Sequence, residues 1–149
     1  MTASTLIDPI AVKLAAIAGA VEDVTAYSKD PGMAGLEGNP IAVVGIPTID
    51  RGDIDSDSQL GSRDWVLGYP VRLYVNLEVP DEAQTLLQDT CEAFMRAIDA
   101  DDQLASIATV NMVPQAARAI EALPGEIVGE TSRPRLFYDV LVRVHALTA

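Results

Sequence analysis

The chain has 149 residues, enough for one domain with a core that needs no crosslinks. Apolar residues make up 49% of it, which excludes a disordered chain, and the balance of 22 Asp and Glu against 10 Lys and Arg argues against a nucleic-acid binder. The single cysteine, Cys91, cannot form an internal disulfide, so the fold needs no oxidising compartment.

The first apolar run, IDPIAVKLAAIAGA, lacks a basic leader, carries Asp8 ahead of its apolar part and holds Lys13 within it. It is also too short to span a bilayer, so the expectation is a soluble, cytoplasmic protein with no membrane partner. Asp8-Pro9 suits a helix start, with Asp8 capping free backbone N–H groups and Pro9 at the first helical position. Ile10, Leu14, Ile17, Val21 and Val24 then recur at spacings of three and four, which predicts a helix continuing to about Tyr27. Asp30-Pro31-Gly32 cannot continue it, and Gly32, Gly35, Gly38 and Pro40 predict a flexible linker over residues 30–40.

Ile41 to Ile49 is a short apolar run with β-branched residues and reads as one strand, with Pro47 at an edge or bulge. An acidic stretch at 50–64 follows. From Trp65 to Val79 every odd position is apolar, while even positions include Gly68, Arg72, Asn76 and Glu78, the period-two pattern of a long strand with one dry face. Pro80-Asp81 opens a second helix, with Asp81 and Gln84 at capping-box spacing and Leu87, Cys91, Phe94 and Ile98 as its core stripe. Asp99, Asp101 and Asp102 end it, an unfavourable sign of charge for a helix C-terminus.

Ser106 to Val113 reads as extended, Gln115 to Leu123 is ambiguous, alanine-rich enough for a helix turn yet lacking a clear apolar face, and Pro124-Gly125 reads as a turn. Arg135 to Leu147 alternates again, with Leu136, Tyr138, Val140, Val142 and Val144 on a dry face and Arg135, Asp139, Arg143 and His145 on a wet one. The predicted fold is one α+β domain over residues 1–149, in which a mixed or antiparallel sheet of about four strands carries two main helices on one face. Leu73, Val75, Val140 and Val142 are expected to pack against Ile17, Val21, Phe94 and Ile98.

The candidate sites are few. Asp53, Asp55, Asp57 and Asp64 fall at the first, third, fifth and twelfth places of a calcium loop, but Ser58 stands where the sharp turn needs Gly. Asp64 is shorter than the usual bidentate Glu, and the flanks read as strands rather than paired helices. The residues therefore read as a solvated contact loop carrying Asp50, Arg51, Asp53, Asp55, Asp57 and Arg63, long enough to be a binding segment. His145, the only histidine, lies on the wet face without a nucleophile beside it, and Cys91 lies on an apolar stripe as a small core residue. No Gly-rich phosphate loop, Cys-x-x-Cys or His-Glu pair occurs, so neither an enzyme nor a cofactor is expected. The polar strand positions Arg72, Asn76, Arg135 and Arg143 are candidates for subunit contacts.

The order of elements resembles that of the tail terminator, or tail completion, proteins of long-tailed bacteriophages. The residues that carry the resemblance are the helix from Ile7 to Tyr27, the strand DWVLGYPVRLYVNL after an extended loop, the helix DEAQTLLQDTCEAFMRAI, and the closing RPRLFYDVLVRVHAL, nearly the whole chain. The resemblance implies a virion protein of the tail neck, made in the host cytoplasm. It implies a ring of six subunits that caps the tail tube, meets the tail tube protein and the head-tail connector, and lets DNA pass through its lumen. An acidic lumen suits that passage, because it offers phosphates few contacts. A head-tail stopper or connector protein is the nearest alternative, and a small calcium-dependent binding module is the alternative of another class.

Overall fold

Two long alternating strands form the centre of the molecule. The computed structural model describes residues 6–32, 35–50, 63–101, 104, 111–128 and 134–148. Among them the order is α1 (Ile7–Gly19), β1 (Thr25–Tyr27), β2 (Ile41–Val44), β3 (Thr48–Asp50), β4 (Arg63–Asn76), α2 (Pro80–Ala100), β5 (Asn111–Ile127) and β6 (Arg135–Thr148). β4 and β6 pair antiparallel along their whole length, from Arg63 opposite Thr148 to Asn76 opposite Arg135. β5 pairs antiparallel with the outer side of β6, β2 and β3 pair with β4, and β1 runs parallel to β2. The fold is therefore α+β, and the sheet is mixed, with six strands rather than about four.

Period two puts Leu67, Tyr69, Val71, Leu73 and Val75 of β4 on one face with Val140, Val142, Val144 and Ala146 of β6, and all are buried. α1 and α2 cover that face with Ile10, Leu14, Ile17, Phe94 and Ile98 in the same core cluster, against which Val21 packs half-buried. Tyr69 links the layers: its hydroxyl donates to the Ile7 carbonyl oxygen at 2.7 Å. Burial, and then the Asp8 charge, push the Tyr69 pKa upward, so the fold requires the neutral phenol. Its contribution is complete below about pH 10 and declines as the pH rises further, because only the unfolded chain ionises freely there. Tyr69→Phe is expected to cost about 1 kcal/mol at neutral pH and to remove this alkaline component, as read by denaturant unfolding at pH 8 and above pH 10.

The second and fifth strands depart from the sequence reading for identifiable reasons. The run from Ile41 to Ile49 is two strands, not one, because the chain leaves β4 at Gly45-Ile46-Pro47. The Gly45 N–H donates to the Pro70 carbonyl oxygen at 2.7 Å, and a Cβ on Gly45 would lie 2.8 Å from the Pro70 ring. Pro70, mid-strand, thus turns its donor-less nitrogen toward the gap between β2 and β3, where no ladder bond is lost. The expected turn at Pro124-Gly125 is strand instead, as are residues 115–123: β5 passes through, with Pro124 opposite Tyr138 and Gly125 opposite Phe137. The Phe137 ring occupies the space a side chain would need, since its Cζ lies 2.2 Å from where a Gly125 Cβ would be. Of the extended stretch predicted from Ser106 to Val113, residues 111–113 lie in β5 and 106–110 fall outside the described residues.

The helix ends also shift. α1 stops at Gly19, short of Tyr27, and Asp23 takes a left-handed φ of 63° before the chain enters β1. Neither helix has a side-chain cap: α1 begins after Leu6 with Asp8 inside its first turn, and α2 begins after Val79 with Pro80 leading and Asp81 and Glu82 in the first turn. Those carboxylates act on the positive helix end instead of as capping groups. At the acidic end of α2, Lys13 of α1 reaches Asp101 at 3.2 Å and supplies the missing positive charge.

In the 30–40 segment, Leu36 is buried with Ile41, Val43 and Tyr74 in a second small cluster, and the Asn39 carbonyl oxygen of the side chain accepts the Asn76 N–H at 3.0 Å. These contacts sit on the sheet face opposite the helices. β2 is consequently buried on both sides, which explains its unbroken apolar sequence.

Candidate functional site

The helices cover one face of the sheet, and the other carries the polar strand positions. Three successive cross-strand rows of β4 and β6 fall there: Arg72 opposite Asp139, Tyr74 opposite Phe137, and Asn76 opposite Arg135. Arg72 grips Asp139 with two parallel bonds, Nε to Oδ1 at 2.5 Å and Nη2 to Oδ2 at 2.7 Å. That pairing raises the Arg72 pKa despite partial burial. The Arg72 guanidinium also lies over the Phe137 ring, 4.1 Å from its centroid, and the Tyr74 and Phe137 rings meet tilted at 6.2 Å.

Unlike Arg72, Arg135 has no carboxylate partner among the described residues. It is only 8% exposed and lies 5.9 Å from the Tyr74 ring centroid. Its Nε and Nη1 are buried and find no hydrogen-bond partner among the described residues. A buried guanidinium in that state is unfavourable by itself, because desolvation is not offset by a paired acceptor.

Farther along β6, Arg143 stands directly opposite Arg118 of β5 on the same face, and both are exposed. Like charges in directly opposed positions repel. Neither arginine has an ion-pair partner among the described residues. The four arginines thus share one face with the Tyr74 and Phe137 rings and with the carboxylates of Asp139, of Glu121 opposite Leu141, and of Asp50 opposite Val66. The helix layer differs in character: α2 exposes Asp81, Glu82, Asp89, Glu92 and Asp99 against the single Arg96.

Arg72, Asn76, Arg135 and Arg143, selected from period two alone, therefore lie on one surface. Tyr74, Phe137, Asp139 and Arg118 belong to it as well and were not singled out. An aromatic ring at a polar position of each strand was the available signal for Tyr74 and Phe137; Arg118 needed the β5 register. His145 is half-buried on this face, and Cys91 is buried in the core, where burial pushes its thiol pKa up and keeps it protonated.

Asp50 closes β3, exposed, and Arg63 and Asp64 open β4 with their backbones opposite Thr148 and Leu147. Arg51, Asp53, Asp55 and Asp57 lie outside the described residues. Among the described residues no group of three or more His, Cys, Asp or Glu could hold a metal ion, and no helix is long and apolar enough to cross a membrane. A groove of about 660 Å³ between the end of α1 and α2 is lined by Val21, Glu22, Asp23, Pro40, Asp89 and Thr90, side chains that supply no nucleophile paired with a base.

Fold and surface together define a two-layer α+β domain with one open, arginine-bearing sheet face. No family model matches the sequence, and no curated protein matches it.

Proposed function

We propose that the protein is a tail terminator of a long-tailed bacteriophage, a structural subunit that closes with five copies of itself into a ring on the end of the tail tube. In this role it joins the tube to the head-tail connector and leaves a lumen through which DNA passes without specific binding. The observation that carries the reading is the two-sidedness of the domain: a sheet face of mixed charge, bearing four arginines and aromatic rings, lies opposite an acidic helix layer. A ring built head to tail needs two different surfaces on each subunit, and layers of unlike composition supply them. The order of elements along the chain, which resembles that of tail terminators, supports the same reading. The acidic excess suits a channel for DNA, because a negative wall gives phosphates few attractive contacts.

Electron microscopy of virions or tubes carrying a labelled copy tests the proposal. The expected image is a ring at the head-proximal end of the tube. Label in the capsid shell or at the tail tip would overturn it, and a ring seated on the connector without touching the tube would identify a stopper instead. Calorimetry with calcium should show no specific heat of binding, whereas a saturable signal would favour the binding module around Asp53, Asp55, Asp57 and Asp64.

A further inference from the structure

We propose that the groove beside α2 takes a basic amphipathic helix of a partner protein, which lies in the helix layer on the line where α1 stops. The proposal goes beyond the ring reading and does not rest on it.

The helix layer is unequally filled. α1 has 13 residues and α2 has 21. Lys13 meets Asp101 near the end of α2, and Ile17 and Val21 line the groove together with Ala97 and Ala93, so the two helices run antiparallel. α1 stops at Gly19, and the left-handed turn at Asp23 carries the chain away into β1. Among the described residues, the earlier turns of α2 therefore have no helix beside them on this side. The groove of about 660 Å³ lies there, with a smaller hollow of about 130 Å³ that shares Asn39 and Leu86 with it.

The α2 wall has the spacing of a helix-packing surface. Val79, Ala83, Leu86, Thr90, Ala93 and Ala97 all line these hollows, and they recur at alternating steps of four and three. That is the seam of a helix packed against another helix, and it runs beside the core stripe of Leu87, Cys91, Phe94 and Ile98. α1 covers the end of the seam at Ala93 and Ala97. The other end is open, with Val79 50% and Leu86 36% exposed. Val79 and Thr90 are eleven residues apart, about 16 Å or three turns of a matching helix. Small side chains at Ala83 and Ala93 let a backbone approach closely, and Leu86 between them is the anchor that its apolar face would cover.

The rim gives the occupant its charge. Glu78 and Glu82 flank the open end, Asp89 stands midway, and Glu22 and Asp23 lie at the other end. The negative pole of α1 points the same way, since its last turn holds no basic residue. No Lys, Arg or His is among the residues that line either hollow. An apolar seam between carboxylates selects an apolar helix face flanked by cations. A second copy of this chain is the poorer occupant. Its α2 would bring Asp81, Glu82, Asp89 and Glu92 against like charge, and the one lysine of its α1, Lys13, is held by Asp101 at 3.2 Å.

The test titrates the full-length chain with an amidated helical peptide of about fourteen residues, Leu at helical spacing on one face and Lys on the flanks. The comparison is the same peptide with Glu in place of Lys. Backbone amide shifts and calorimetry follow binding at low and at moderate salt. The Lys peptide should bind saturably, move the Val21, Leu86 and Thr90 amides, and bind more weakly as salt is added. The Glu peptide should not bind. Leu86→Lys, which removes the anchor and reverses the charge, should weaken binding by roughly tenfold or more. Glu82→Gln/Asp89→Asn should do the same without touching the core, so the test survives even if Leu86→Lys misfolds. Glu121→Gln/Glu126→Gln removes the same charge from exposed positions of β5 and should change affinity by less than about twofold.

Failure of the Lys peptide to bind, binding of the Glu peptide, or equal weakening by the β5 variant would each overturn the proposal. So would amide shifts spread over β5 and the outer side of α2 in place of the groove. Sedimentation of the chain alone gives the remaining outcome: self-association that Leu86→Lys prevents would make a second copy the occupant, and the basic partner would be rejected.

Discussion

Phe94→Ala and Leu73→Ala are each expected to lower subunit stability by ~2–5 kcal/mol, the range for truncating a large side chain in a closed core. Both side chains are fully buried, and they approach the same cluster from different layers, Phe94 from α2 and Leu73 from the centre of β4. The loss has two parts, the transfer free energy of the removed carbons and the unfilled volume that the rigid sheet cannot close. β4 is flanked on both sides by paired strands, so collapse around Leu73 would require distorting two ladders. The unfolding midpoint in denaturant reads the effect, with Leu123→Ala as the control. Leu123 is 57% exposed on β5, and its removal should change stability by less than about 0.5 kcal/mol. Unchanged midpoints for Phe94→Ala and Leu73→Ala would mean that the dry and wet faces are assigned the wrong way round.

That pair of residues also marks what the sequence disclosed. The alternation of β4 and β6 and the stripe of α2 are long, and a period repeated over a dozen residues outweighs local exceptions. Their partners were less legible. β1 and β3 are three residues each, too short for any period, and β1 exists because Thr25–Tyr27 lies beside β2, a contact made across the 28–40 segment. Val21 and Val24 continue the apolar spacing of α1, so the pattern alone extends the helix; tertiary pairing ends it at Gly19 instead. In β5, alanines and an internal Pro-Gly argue locally against a strand. The space that Gly125 leaves for the Phe137 ring is visible only once β6 lies beside it.

For the candidate surface the division is similar. Period two identified which residues leave the core, and so Arg72, Asn76, Arg135 and Arg143 were found together. It could not distinguish an arginine that has a carboxylate from one that has none. Arg72 and Arg135 occupy equivalent polar positions in their strands, yet register puts Asp139 opposite the first and Asn76 opposite the second. Charge compensation is a property of the pairing, not of either strand. The same holds for Arg118 and Arg143, whose repulsion exists only in the register of β5 against β6.

Arg135→Met is expected to raise the stability of the subunit. Arg135 is nine-tenths buried, two of its nitrogens lack acceptors among the described residues, and its guanidinium lies 5.9 Å from the centroid of the Tyr74 ring. Methionine has a similar flexible length, keeps the apolar packing beside Tyr74 and Ile127, and removes a charge that burial disfavours. Replacing buried ionic groups by apolar ones of like volume typically stabilises by ~1–4 kcal/mol, and the lost ring contact should return part of that. Subunit unfolding should therefore shift to higher denaturant. Arg135→Lys separates charge from shape: it keeps the cation but not the planar fork, so it should lack the gain in stability. A loss of subunit stability in Arg135→Met would show instead that the guanidinium is already neutralised within the chain.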